Sequence, residues 1–232
     1  MLHRALIVLA LTVSAAQAQL IGGGAGTTSN FMPLGGISNV GTPVANRYQQ
    51  LFSASAWSST TAIGGVRFFR ASVDGSYRTQ TLRISLSTSA RAVTGAGRLD
   101  ETNFDSNVGV DRLVLGTIAL DGTTPATVQL LGPTFTFNPL AGNLLLDIEV
   151  LPGAGGNPTN RASHLARTNW GTGPVLFSRA HNFSSTAMYN EGWGLVTEFL
   201  PATVVPEPSA LLMTVAGVCA LAAFAARRRP RA

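Results

Sequence analysis

The chain has 232 residues, of which 45% are hydrophobic and 12% are charged, and its formal net charge is +5. Most of that charge lies at the ends, because the segment between Gln19 and Val205 has 11 arginines and 10 acidic residues, which nearly cancel. This nearly neutral central part gives no argument for a nucleic-acid partner. The sole cysteine, Cys219, is near the C-terminus, so the central part forms no disulfide and depends on packing.

The first 18 residues have the three parts of a secretory signal peptide. Residues 1–4 are positive, residues 5–15 are apolar but short for a membrane span, and Ala16 and Ala18 form an A-x-A cleavage site. We therefore expect export through the secretion translocon, cleavage by signal peptidase and a mature chain that begins at Gln19. The alternative is an uncleaved anchor, and the small residues at 16 and 18 argue against it.

Residues 19–45 are rich in Gly, Ser, Thr and Asn, which predicts a flexible leader. Strand signals follow in residues 46–204, at 47–57, 63–70, 81–87, 113–120, 126–131, 134–137, 144–150, 174–179 and 195–200. In the clearest of them, Leu82, Ile84 and Leu86 alternate with Arg83, Ser85 and Ser87. That period of two predicts a half-buried strand with a wet outer face.

Turn signals such as Asp121-Gly122, Gly132-Pro133 and Asn138-Pro139 separate these strands, and no convincing helix pattern occurs between residues 46 and 204. Short strands with frequent turns predict an all-β ectodomain, an antiparallel β-sandwich or jelly roll. A single barrel is the alternative.

Two tryptophans stand next to glycines, in Trp170-Gly171 and Gly192-Trp193-Gly194, where loops build binding faces. Trp170 and Trp193 are therefore candidates for sugar contact. The alternative is that they fill the ends of the sandwich core.

Oxygen ligands gather at Asp105, Asn107 and Asp111, which is a calcium candidate in an exported protein. The spacing is not that of an EF-hand, and a solvated loop is the alternative. Two histidines outside the signal peptide and no usable cysteine argue against zinc. We predict no cofactor.

A hydrolase could pair His164 or His181 with a serine and an acid. The candidates are Ser163, Ser178, Ser184 and Ser185, with Glu149 or Glu191. However, none of these serines lies in a G-x-S-x-G turn. We therefore predict that the protein is not an enzyme, and a secreted hydrolase stays an alternative.

The C-terminal segment, residues 205–232, has three parts in a fixed order. Pro206, Glu207 and Pro208 precede an uncharged apolar stretch, 209–226, that as a helix would be roughly 27 Å long and could cross a bilayer. Behind it lie Arg227, Arg228, Arg229 and Arg231. These arginines predict a C-terminus retained on the cytoplasmic side.

This ordered triple resembles the PEP-CTERM sorting signal over residues 206–231. The resemblance implies that the membrane transpeptidase exosortase recognises Pro206, Glu207 and Pro208 and cleaves nearby. A transient inner-membrane anchor would then give way to the cell surface or extracellular matrix. The alternative is a permanent tail anchor.

Three body segments, 46–52, 84–88 and 142–148, also resemble the β-rich ectodomain of one group of PEP-CTERM proteins, a resemblance that spans roughly residues 40–150 and carries no assigned chemistry. This resemblance supports the β-rich fold and adds no active site. Our first hypothesis is a structural or adhesive role in the envelope, the exopolysaccharide or a biofilm. A carbohydrate-binding module and a hydrolase are the alternatives.

Overall fold

The computed structural model describes residues 18–22, 27–30, 32–34, 47–71, 75–122, 125–153, 155, 163–168, 174–182 and 187–202. These residues belong to one compact unit, Met1–Ala202. The membrane helix predicted at 209–226 lies outside them. In the described part of the chain, no helix is long and apolar enough to cross a membrane.

Thirteen strands form within these residues. They are β1 Gln19–Ile21, β2 Thr27–Asn30, β3 Arg47–Phe52, β4 Thr61–Phe69, β5 Gln80–Ser89, β6 Leu113–Leu120, β7 Thr127–Phe137, β8 Asn143–Val150, β9 His164–Thr168, β10 Phe177–His181, β11 Met188–Glu191, β12 Trp193–Leu195 and β13 Thr197–Pro201. All pairings between these strands are antiparallel, which confirms the predicted all-β class.

The strands form three sheets, in the orders β1-β13-β4-β7, β11-β10-β3-β8-β5-β6 and β12-β9-β2. One buried cluster joins the first two: Val66, Phe68 and Val128 of the four-stranded sheet pack with Leu82 and Ile84 of the six-stranded sheet. Separate sheets around a shared core are consistent with the predicted sandwich and do not form a single closed barrel.

The four-stranded sheet turns a row of one leucine and three polar residues toward solvent. Leu20, Glu198, Arg67 and Gln129 lie opposite one another on its four strands. Arg67 donates hydrogen bonds to Glu198 at 2.7 Å and to Gln129 at 2.9 Å. Polar cross-strand pairs of this kind keep an exposed sheet face soluble and help to fix its register.

In the six-stranded sheet, the central strand β3 is buried on both faces. Five of its six residues, from Tyr48 to Phe52, are 0% exposed. Tyr48 and Phe52 belong to the core shared with the four-stranded sheet. Leu51 instead packs in a second cluster on the opposite face of the sheet.

The connection between β5 and β6 covers that opposite face. Its Val93, Leu99 and Phe104 form the second cluster with Leu51 and Leu145. The connection packs here without a strand or an α-helix. A short turn of 3-10 helix, Phe104–Asn107, supplies the aromatic contact. The connection therefore acts as a second layer on the sheet.

The polar side of β5 is covered, although the alternation predicted a wet face. Ser85 and Ser87 are each 1% exposed, because Arg112 donates to the Ser85 hydroxyl at 3.1 Å and the Gly109 N–H donates to the Ser87 hydroxyl at 3.2 Å. A Cβ atom at Gly109 would lie 1.8 Å from the Thr88 carbonyl oxygen, so only glycine permits this approach.

The turn predicted at Gly132-Pro133 is wrong, because β7 continues through both residues. On β4, Gly64 alone lies opposite residues 132–134, so the extra residues form a bulge. β7 is also an edge strand in its sheet, where proline costs no ladder hydrogen bond. These two conditions explain why a turn signal lies inside a strand.

Part of the segment predicted as a flexible leader is also strand. β1 pairs with β13, and β2 pairs with β9. Ile21 is 3% exposed within the main core. Strands of three and four residues are too short to give a periodic signal. Residues 23–26, which are part of the glycine run, lie outside the described residues.

We predict that Ile21→Ala lowers the free energy of unfolding by about 2 kcal/mol, because it removes buried methyl groups at the strand that closes the sheet edge. Leu20→Ala on the same strand is the matched control. Leu20 is 51% exposed, so its loss should cost under about 0.5 kcal/mol. Urea denaturation of the processed protein measures both changes, and equal effects would show that β1 does not dock as described.

Candidate functional site

The body ends just before the predicted sorting signal begins. β13 finishes at Pro201, and the backbone N–H of Ala202 donates to the Ala62 carbonyl at 3.0 Å. Three residues then separate Ala202 from Pro206 in the sequence. Outside the described residues lie Ala16, Pro206, Glu207, Pro208, Arg227, Arg228, Arg229 and Arg231, so their individual roles stay predictions.

We call the end of the body from which the chain continues the exit end, and define it as residues 54–60, 138–140 and Ala202. The register of β4 with β7 brings its parts together, since Thr61 lies opposite Phe137. The N-terminal strand begins here too, because the Gln19 side chain donates to the Ala56 carbonyl at 3.0 Å. The exposed Ala18, at the predicted cleavage site, directly precedes this strand.

The exit end carries an open cleft of about 510 Å³. Its lining is uncharged: Ala54, Ser55, Trp57, Ser58, Ser59, Thr60, Asn138, Pro139 and Leu140. Leu140 is 95% exposed, whereas Trp57 is only 7% exposed. The Trp57 ring packs edge-on against Phe137 and Phe199, so it belongs to the core and the cleft meets only its margin.

Of the two tryptophans predicted to contact sugar, Trp193 is described and Trp170 lies outside the described residues. Trp193 is half-buried on β12. The Arg179 guanidinium lies 5.2 Å from the centre of its ring, and Arg179 also donates to the Asn190 side chain at 3.2 Å. A cation from the body therefore lies against the Trp193 ring, and sugar contact stays a prediction.

The three calcium candidates have separate protein partners. Asp105 accepts a hydrogen bond from Arg47 at 2.6 Å, and Asp111 accepts one from the Thr88 N–H at 2.8 Å. Asn107 is 1% exposed and donates to the Gln49 side chain at 2.7 Å. Among the residues that the structure describes, no group of three or more His, Cys, Asp or Glu side chains could hold a metal ion.

Asp105 belongs to an ion cluster that the sequence analysis missed. We call it the outer-face cluster, and its members are Arg47, Arg83, Arg112, Asp105, Asp147 and Glu149. They lie on the side of the six-stranded sheet that the β5–β6 connection covers. Arg47 donates two hydrogen bonds to the Asp147 carboxylate, at 2.9 and 2.6 Å. Arg83 and Arg112 both donate to Glu149.

Charge balance explains how this cluster persists beside a covered sheet face. Burial opposes ionisation of Glu149, but the hydrogen bonds from Arg83 and Arg112 outweigh it and hold its pKa below the usual value. The hydrogen bond from Arg47 lowers the pKa of Asp105. A signal existed in the sequence, since an acid at position 147 interrupts the apolar run 144–148.

Three of the candidate hydrolase groups, His164, Glu191 and Glu149, have other contacts. His164 is 1% exposed, and its Nε2 is 2.8 Å from the Tyr77 hydroxyl. Glu191 accepts a hydrogen bond from the Gly95 N–H at 3.1 Å, and Glu149 lies in the outer-face cluster. Ser184 and Ser185 lie outside the described residues.

His181 is also buried, at 2% exposure, opposite Tyr48 on β3 and Met188 on β11. Burial, assisted by the charge of Arg179, lowers the pKa of His181 to about 4. Burial, assisted by Arg70, lowers the pKa of His164 to about 3. Both imidazoles are therefore neutral near pH 7, and they pack as core residues.

Residues 204–229 match the model of the PEP-CTERM protein-sorting motif. This confirms the resemblance found at the C-terminus. No curated protein and no solved structure matches the chain. The motif indicates an exported protein that exosortase processes and that reaches the cell surface through a membrane-anchored intermediate.

We predict that Asp147→Asn costs about 3 kcal/mol of unfolding free energy, because it leaves Arg47 without its buried partner. Asp105→Asn, which removes the exposed partner of the same arginine, should cost under about 1 kcal/mol. The Asp147 and Asp105 side chains are 3% and 83% exposed. Denaturant titration at neutral pH compares them, and a cost for Asp105→Asn as large as for Asp147→Asn would contradict this account.

We also predict that the protein loses stability as pH falls from about 6.5 to about 4. In this range the unfolded chain binds a proton at each histidine, but the folded chain, with pKa values of about 3 and 4, does not. Acid therefore favours the unfolded state, by up to about 1.4 kcal/mol per pH unit per histidine.

Urea denaturation at several pH values tests this. His164→Gln and His181→Gln should each reduce the slope of stability against pH, and the double variant should remove most of it above about pH 4.5. The slope is the readout, so a lower absolute stability of a variant does not confuse the result. A wild-type stability that does not change over this range would refute the assignment of neutral, buried histidines.

Proposed function

We propose that this protein is an exosortase-sorted component of the cell surface or extracellular matrix, whose β-sandwich body has a structural or adhesive role. The sorting motif at residues 204–229 carries the proposal. It begins two residues after Ala202, which is the last described residue and is hydrogen-bonded to the body. In this view the body is the cargo, and exosortase delivers it to the envelope or the exopolysaccharide.

The use of charge in the body supports a structural role. In the outer-face cluster, three arginines and three carboxylates bind one another, and the Arg67–Glu198 pair holds the exposed face of the other sheet. His164 is neutral and bound to Tyr77. Groups that a hydrolase would need for proton transfer are thus used to hold strands and connections together, which favours the structural role over the hydrolase alternative.

Stability without disulfides also fits a protein that works outside the cell. The only cysteine lies in the predicted membrane segment. The body instead has a core shared by two sheets and a second cluster under the β5–β6 connection. A module built in this way could persist in the matrix after the tail is removed.

Carbohydrate binding is a second candidate, and Trp193 favours it. Trp193 is half-buried, whereas Trp57 at the exit end is 7% exposed and belongs to the core. The buried Arg179 lies against one part of the Trp193 ring, so a sugar ring would contact the part of the indole that this guanidinium leaves uncovered. Loss of polysaccharide binding on Trp193→Ala, with binding retained in Leu20→Ala, would support this candidate.

We predict that the protein recovered from its host begins at Gln19 and lacks the residues past about Pro208, but only when exosortase is present. Intact mass of the protein from strains with and without the enzyme measures both ends. Glu207→Ala should retain the tail, because it removes the only charge in the recognised triplet. Glu101→Ala, which removes a carboxylate on the β5–β6 connection, is the control and should be processed normally.

A tail retained in both strains would mean a permanent membrane anchor and would refute sorting. An N-terminus upstream of Gln19 would separately refute the predicted signal cleavage.

A further inference from the structure

The fold fixes the point at which the chain leaves the body. β13 is not an edge strand: it lies between β1 and β4 in the four-stranded sheet. Phe199 within it is 1% exposed and packs edge-on against Phe52, with ring centres 5.0 Å apart. Moving the end of β13 would expose these rings, so Ala202 is a fixed point.

The sequence allows little distance between this point and the recognised triplet. Residues 203–205 separate Ala202 from Pro206. Four steps along a fully extended chain span at most about 14 Å. That is about half the diameter of a small domain, roughly 30 Å. An enzyme that holds Pro206–Pro208 is therefore too large to avoid the exit end of the body.

The exit end has the chemistry of a surface that a protein partner could cover at low cost. Its cleft is lined by hydroxyl, amide and apolar groups and has no charged side chain to desolvate. Leu140 projects beside the cleft and is 95% exposed. An exposed apolar side chain next to a concave, uncharged surface resembles the core of a protein interface more than its charged rim.

We propose that the exit end is a docking surface for the sorting enzyme, which contacts Leu140 and the cleft while it holds Pro-Glu-Pro. This inference rests on the proposed function. The cleft lacks the arginine or lysine cluster that anionic lipid headgroups attract, and a single leucine offers little area for insertion into a bilayer. The chemistry therefore favours the enzyme over the lipid surface.

The test measures the rate of tail removal in the native host, as the processed fraction by intact mass at successive times after synthesis. Leu140→Asp should slow removal about tenfold, because it replaces an apolar contact by a charge that the interface must desolvate. Val110→Asp is the matched control, since Val110 is also fully exposed but lies on the β5–β6 connection. It should be processed at the wild-type rate.

A linker variant separates a docking defect from a folding defect. An eight-residue Gly-Ser insertion after Ala202 adds roughly 16 Å of average reach, so the enzyme can hold the triplet without touching the exit end. We expect Leu140→Asp with this linker to be processed as fast as the wild-type body with the same linker. Leu140→Ser serves as a milder second variant, and thermal unfolding of each variant checks the fold.

Equal rates for wild type, Leu140→Asp and Val110→Asp would overturn the proposal, as would a Leu140→Asp defect that the linker does not relieve. Binding of the processed body to lipid vesicles that Leu140→Asp abolishes would assign the surface to the membrane and also overturn it. In each case, normal wild-type processing with the tail retained by Glu207→Ala would leave the proposed sorting function intact.

Discussion

The fold depends on hydrogen-bond partners for the polar side chains that β3 buries. Gln49 and Gln50 are both 0% exposed and point to opposite faces of the sheet. The Gln50 amide donates to the Leu195 carbonyl at 2.9 Å, and the Gln49 amide donates to the Phe104 carbonyl at 3.0 Å. Buried amides are tolerated only when bonded, so one strand fixes the path of two distant segments. The second layer on the sheet follows from this requirement.

The same constraint explains where the charges of the body lie. Asp147 and Glu149 of β8 need cationic partners on this covered face, and Arg47 of β3, Arg83 of β5 and Arg112 of the β5–β6 connection supply them. Charged groups are thus concentrated on the covered face of the six-stranded sheet, in a balanced set. The cleft at the exit end has no charged lining residue. Stability and surface recognition therefore use different parts of the molecule.

The long periodic strands could be predicted from the sequence, and the short or irregular ones could not. β6 has the predicted bounds, and β5 keeps the predicted alternation. β9 and β11, of five and four residues, lack a pattern long enough to recognise. Local periodicity shows which way Ser85 points but not which segment covers it. The outer-face cluster joins residues 100 positions apart, at Arg47 and Asp147, so the acid within the apolar run 144–148 indicates a buried charge but not the residue that pairs with it.

The first and last described strands are neighbours, and this brings the two predicted processing sites to the same end of one sheet. Gln19 lies opposite Phe199, so the residue after the predicted cleavage site and the strand before the sorting motif share one end of one sheet. This pairing forms only after residues 197–201 have been synthesised and lie in the same compartment as β1. For pairing outside the membrane, both ends of the body must have crossed it. The four-stranded sheet is therefore complete only when residues 197–201, which precede the sorting motif at 204–229, have paired with β1 and β4.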